Sequence, residues 1–327
     1  MSAIRRAWNV QRIRASTDTT GVVSEPASTK APAPELRDAR FLIGHAEYPP
    51  LLPMAEALVA VVDAGADERV LRTVPTLCAF AVAALLFAEL PRRDPRLGLL
   101  LAAAFALMPT LISFEEGGAD SGGADATLSC FMLASAVALD GGSPLLAGFL
   151  AGAAALTKNE GALLGLLLCA SSWLPRRRLG LESGIMSAAF AALLAGGLMV
   201  RAGLTSSFDE HYLARLMGGG LAVGWQRASD LLLEMLKTTF LMPHRGGLLP
   251  WLVVLFWATS ARRRAILAGG RLWILFVFFA GVFVLYVISP WPGVLQVQLS
   301  FPRILLQVTP LALYALTEPA SVAAPSR

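Results

Sequence analysis

The chain has 327 residues, 56% of them hydrophobic and 15% charged, with a mean hydropathy of +0.62. Soluble domains carry about 25% charged residues, so a soluble enzyme, a disordered scaffold and a nucleic-acid-binding module are excluded. The net charge of +4 comes from 27 basic and 23 acidic residues, and their positions matter more than their sum. The expected class is all-α: a polytopic transmembrane helix bundle with external interfacial helices.

Residues 1–40 carry Arg5, Arg6, Arg12, Arg14, Lys30, Arg37 and Arg40 and no apolar span. The stretch 17–36, rich in Ser, Thr, Pro and Ala, reads as a flexible linker. Residues 41–69 then form an external juxtamembrane segment. Within it lies His45-Ala46-Glu47-Tyr48-Pro49-Pro50-Leu51-Leu52-Pro53. Its prolines set a rigid, extended approach and then restart a helix. That presents His45, Glu47 and Tyr48 beside the membrane, although an ordinary helix-start turn has the same composition. A crossing by 51–64 would carry Glu56 and Asp63 into the bilayer. The start of the chain therefore reads as truncated or replaced.

A bilayer crossing needs about 20 mostly apolar residues, with a lower limit of about 17. Stretches free of Asp, Glu, Lys, Arg and His run over 73–88, 97–114, 126–139, 141–157, 161–175, 183–200, 246–261, 272–302 and 304–317. They are read as about nine spans of a bundle over 70–317, the short ones accommodated by snorkelling flanks or local thinning. Ala and Gly, as in 151–155, let helix backbones approach closely.

Direction follows from arginine. Arg92, Arg93, Arg96, Arg176, Arg177, Arg178, Arg262, Arg263, Arg264 and Arg271 fall on one side if the spans alternate. The positive-inside rule makes that side cytoplasmic, together with the tail 318–327. Lys158, Glu160, the acidic loop before the third span, 201–246 and 289–303 are then external.

Four external features carry candidate chemistry. Residues 115–125 hold Glu115, Glu116, Asp120 and Asp125 with four glycines. Such a loop offers oxygens to a divalent cation, or is a plain acidic exterior. Leu156-Thr157-Lys158-Asn159-Glu160-Gly161 is a charged island between apolar runs. It reads as a solvated turn or as an anion site, an ammonium being a compact charge suited to phosphate. Arg227, Asp230, Glu234 and Lys237 share one helix face, with Leu231, Leu232, Met235 and Leu236 opposite. That is an amphipathic helix at the interface or a brace over the bundle. Arg303, at the outer end of the last span, either snorkels or turns inward to pair with phosphate. Cys78, Cys130 and Cys169 lie in apolar runs without metal-ligand spacing and read as buried hydrophobes.

In this order the patches resemble the GT-C superfamily of membrane glycosyltransferases, nearest the aminoarabinose transferases and protein O-mannosyltransferases of the dolichyl-phosphate-mannose type. The matching stretches are His45-Ala46-Glu47-Tyr48-Pro49-Pro50-Leu51, Ala124-Asp125 opening a span, Leu156-Thr157-Lys158-Asn159-Glu160-Gly161, and Arg303-Ile304-Leu305-Leu306-Gln307 before Pro310. They extend over about residues 41–317. The resemblance implies sugar transfer from a polyprenyl-phosphate donor to a lipid, glycan or protein acceptor at the outer face of the plasma (inner) membrane. It makes Lys158 and Arg303 phosphate partners, and His45, Tyr48 and Glu160 substrate-binding residues.

Such a reaction uses a carboxylate to take the acceptor's proton and cations to stabilise the departing phosphate. In that family the leading acid follows a first transmembrane helix. This sequence offers only Asp38 and Glu47 before the Tyr-Pro-Pro turn, so Glu47 is the stand-in for the base. A truncated, inactive transferase is one alternative. A polytopic transporter and a non-catalytic membrane protein are the others; the charges stand at the edges of the spans, which disfavours the transporter.

Overall fold

The computed structural model describes residues 51–52, 55, 58–59, 70, 73–112, 124–173, 180–204, 217–218, 224–242, 249–259, 270–289 and 292–317. These residues are 93% helical and contain no strand. Three of the helices, Thr73–Arg93, Gly180–Met199 and Gly293–Leu316, are long and apolar enough to cross a membrane.

The described helices are α1 (Thr73–Arg93), α2 (Pro95–Ala106), α3 (Pro109–Ile112), α4 (Ala124–Asp140), α5 (Pro144–Thr157), α6 (Asn159–Ser172), α7 (Gly180–Leu204), α8 (Ala228–Phe240), α9 (Leu249–Thr259), α10 (Gly270–Ile288) and α11 (Gly293–Leu316). Local chemistry sets several junctions. Asp94 caps α2 by accepting from the Leu97 amide at 3.2 Å, with Pro95 just inside the helix. After α4, Gly142 takes φ +72°, the left-handed conformation that ends a helix, and Pro144 starts α5.

Between α5 and α6 a single extended residue, Lys158, ends one helix and begins the other. So tight a hairpin requires Gly161, because a Cβ there would overlap the Ala154 carbonyl. Helix α5 also presents Gly148 and Gly152, four residues apart, to α7. A Cβ on Gly148 would overlap the Met186 carbonyl, and one on Gly152 would stand 2.6 Å from Leu193 Cβ. Small residues at this spacing let helices pack backbone to backbone where lipid offers no hydrophobic drive.

The buried core runs through Leu86, Leu90, Phe105, Met132, Leu164 and Phe278. Leu77, Phe80, Leu99, Leu145 and Phe276 point outward. Apolar residues on both the inner and the outer faces are the pattern of helices bathed in lipid.

At one end of the bundle Arg93 lies over the Tyr314 ring, 3.7 Å from its centroid. Its Nη2 donates to Asp140 Oδ2 at 2.8 Å, and the Tyr314 hydroxyl donates to the same oxygen at 2.8 Å. Three helices, α1, α4 and α11, are thereby pinned together.

Two expectations are corrected. The stretches 272–302 and 304–317 do not part at Arg303: α10 ends at Ile288 and α11 runs unbroken from Gly293 to Leu316. Between them the sequence reads Ser289-Pro290-Trp291-Pro292, whose two prolines lack amide donors. Arg303 is therefore inside the last helix rather than at its outer end.

The second concerns α8. Its Leu232, Leu233 and Leu236 are exposed, whereas Glu234 is buried with Leu231 and Met235. Glu234 Oε1 accepts from Gln298 Nε2 at 2.7 Å. Ahead of the helix, Arg227 Nη2 donates to the carbonyls of Tyr286 at 3.2 Å and Val287 at 3.0 Å, and to that of Ser289. A guanidinium so placed satisfies carbonyls that the end of α10 leaves open. Part of the polar face thus turns toward the bundle, because α10 and α11 offer it partners.

Candidate functional site

The first turn of α4 carries Asp125, which is 0% exposed. Three side chains from two other places in the sequence converge on it. Lys158, in the hairpin between α5 and α6, brings Nζ to 2.8 Å from Asp125 Oδ1. Arg303 of α11 brings Nε to 2.7 Å from Oδ2. Gln307, one turn further along the same face of α11, donates Nε2 to Oδ1. Glu160 joins the cluster, its Oε1 standing 3.3 Å from Lys158 Nζ.

An isolated carboxylate at this depth would be prohibitive, so it requires paired charge and full hydrogen bonding. Asp125 has both. Its two oxygens hold the two cations apart and in fixed positions, as preorganised electrostatics demands. The cluster is unevenly exposed: the Arg303 and Glu160 side chains are 32% and 24% exposed, against 4% for Lys158. The Gln307 Oε1 atom is buried with no hydrogen-bond partner.

Of the residues singled out in the sequence, Lys158, Glu160 and Arg303 meet in this cluster. They do so although 145 positions separate Lys158 from Arg303 (303 − 158). Lys158 is no solvated turn residue; its ammonium is buried between two carboxylates. His45, Glu47 and Tyr48 lie outside the described residues, as do Glu115, Glu116 and Asp120 of the proposed cation loop. Asp125, the described acid of that loop, faces Lys158 and Arg303 with its oxygens, which leaves it unsuited to a metal.

Sequence reasoning did not assign Asp125 or Gln307 to the site. For Asp125 the available signal was an acid opening an otherwise apolar helix, in a chain with cations at two other helix junctions. Gln307 gave a weaker one, a polar residue four positions from Arg303, hence on its face.

A helical bundle, apolar outside and carrying a buried charge cluster at one end, defines a helical membrane-type protein with a polar site. Comparison of the chain with known protein families, curated proteins and solved structures found no match.

Proposed function

We propose that the protein is a multi-pass membrane glycosyltransferase that moves a sugar from a polyprenyl-phosphate donor to an acceptor at the outer face of the plasma (inner) membrane. The observation that carries this reading is the meeting of Lys158 and Arg303 on one buried carboxylate. Two cations held within reach of one another at an edge of an apolar bundle suit the phosphate of a lipid-linked donor. The lipid tail would lie along the apolar helices. The partly exposed Arg303 would meet the phosphate, and a guanidinium matches phosphate in fork geometry.

About nine crossings belong to the same proposal. Nine described helices, α1, α2, α4, α5, α6, α7, α9, α10 and α11, overlap the apolar stretches. Helices of 14 residues such as α5 and α6 are only about 21 Å long, so the bilayer thins around them. His45, Tyr48 and Glu160 would line the donor or acceptor pocket, with Glu47 as the base.

The test is transfer of radiolabelled sugar from polyprenyl-phosphate donors by the purified chain. Lys158→Ala and Arg303→Ala should each lower the rate by about 100-fold, the cost of losing one preorganised donor to developing charge. Transfer unchanged in both variants, at equal expression, would remove them from the site.

A further inference from the structure

Among the described residues, Asp125 and Glu160 contribute two negative charges and Lys158 and Arg303 two positive ones. A neutral cluster exerts little net pull on an anion. A phosphate arriving at Lys158 therefore competes with the carboxylates that already face it.

The geometry says which carboxylate gives way. Asp125 is fully buried and held by Lys158, Arg303 and Gln307. Removing it from those partners would leave charge stranded in a dry interior. Glu160 is partly exposed, and its contact with Lys158, at 3.3 Å, is longer than the 2.8 Å and 2.7 Å contacts made by Asp125. It also stands in the first turn of α6, where open amides and the helix dipole favour negative charge. A phosphate replacing Glu160 would meet the same field.

We infer that Glu160 is a displaceable carboxylate, paired with Lys158 until a phosphate-bearing ligand arrives and then swinging into solvent. Asp125 keeps its partners throughout and holds Lys158 and Arg303 in register. Glu160 thereby shields the buried ammonium and sets a threshold that weak anions do not cross. This inference rests on the phosphate reading above, and the experiment separates the two.

The purified full chain in detergent is titrated calorimetrically with farnesyl phosphate, farnesol and inorganic phosphate, as wild type and as Glu160→Gln. Loss of a partly exposed competitor should tighten farnesyl phosphate binding by about threefold to fivefold and leave farnesol unchanged. A second measurement uses the wild-type chain alone. A carbodiimide joins Glu160 to Lys158 as an amide, seen by mass spectrometry, and farnesyl phosphate should suppress that cross-link while farnesol does not.

Suppression by inorganic phosphate at similar concentrations also supports displacement, and makes free phosphate rather than a lipid headgroup the ligand. Farnesyl phosphate binding that is equal or weaker in Glu160→Gln, with the cross-link undiminished, overturns the inference and leaves the phosphate site standing. Failure of both proteins to distinguish farnesyl phosphate from farnesol overturns both. If Glu160→Gln does not purify as a folded species, the cross-link decides by the same criterion.

Discussion

Asp125 is the residue on which the site is organised. Asn at this position preserves shape but removes the charge that two cations face. Breaking a buried ion pair on one side costs about 3–5 kcal/mol, so Asp125→Asn should lower the thermal unfolding midpoint in detergent by several degrees. Glu160→Gln, whose side chain is partly in solvent, should shift it far less. Arg303→Lys should behave like a loss variant, because an ammonium cannot reproduce a guanidinium Nε contact while also facing outward. Equal midpoints for Asp125→Asn and wild type would contradict the ion-pair account. At this scale, charged residues in apolar surroundings announced themselves, which is why Lys158, Glu160 and Arg303 were legible. Asp125 was noted as an acid of a glycine-rich loop that opens a span, but no one-dimensional signal pairs it with a lysine 33 positions away.

Among the helices, tight junctions and small-residue seams do the positioning. The α5–α6 hairpin can place Lys158 over Asp125 only if the two helices close at once, and Gly161 permits that. Gly161→Ala drives a methyl into a backbone carbonyl. Overpacking of this kind costs about 1–3 kcal/mol, so the variant should unfold earlier and also lose any phosphate binding. Gly148→Val, which wedges α5 from α7 at Met186, should destabilise by a similar amount. Arg227→Ala, by stranding carbonyls at the end of α10, should cost about 1–3 kcal/mol. Guanidinium denaturation of the three variants in mild detergent checks these magnitudes.

The helices themselves were readable from runs without charge. Their ends were less so. Arg303 looked like a boundary because an unpaired charge would be one, whereas a charge neutralised by a buried carboxylate is compatible with helix interior. The prolines around Trp291 were the truer punctuation. For α8 the periodicity was visible, but not which face meets protein: Glu234 turns inward because Gln298 is there to donate to it, and sequence spacing does not reveal partners in other helices.

On the scale of the whole molecule, two polar clusters stand at opposite ends of α4, whose 17 residues extend about 25 Å. Asp125 holds Lys158 and Arg303 at one end; Asp140 holds Arg93 and Tyr314 at the other. Helix α11 joins both, so its register fixes the distance between them. The arginine-rich connections fall at the Asp140 end in the proposed alternation, which assigns that end to the cytoplasm and the Asp125 end to the exterior. Under the proposed function, a donor taken from the outer leaflet would find the cluster there.

Cysteine accessibility tests this most directly. In a chain with Cys78, Cys130 and Cys169 replaced by Ala, single cysteines are introduced as Glu160→Cys and Ser143→Cys and treated with a membrane-impermeant maleimide. The account predicts that position 160 is labelled in intact cells, and position 143 only in inverted vesicles. Labelling of position 160 solely from the cytoplasmic side, or of both positions from the same side, would contradict it.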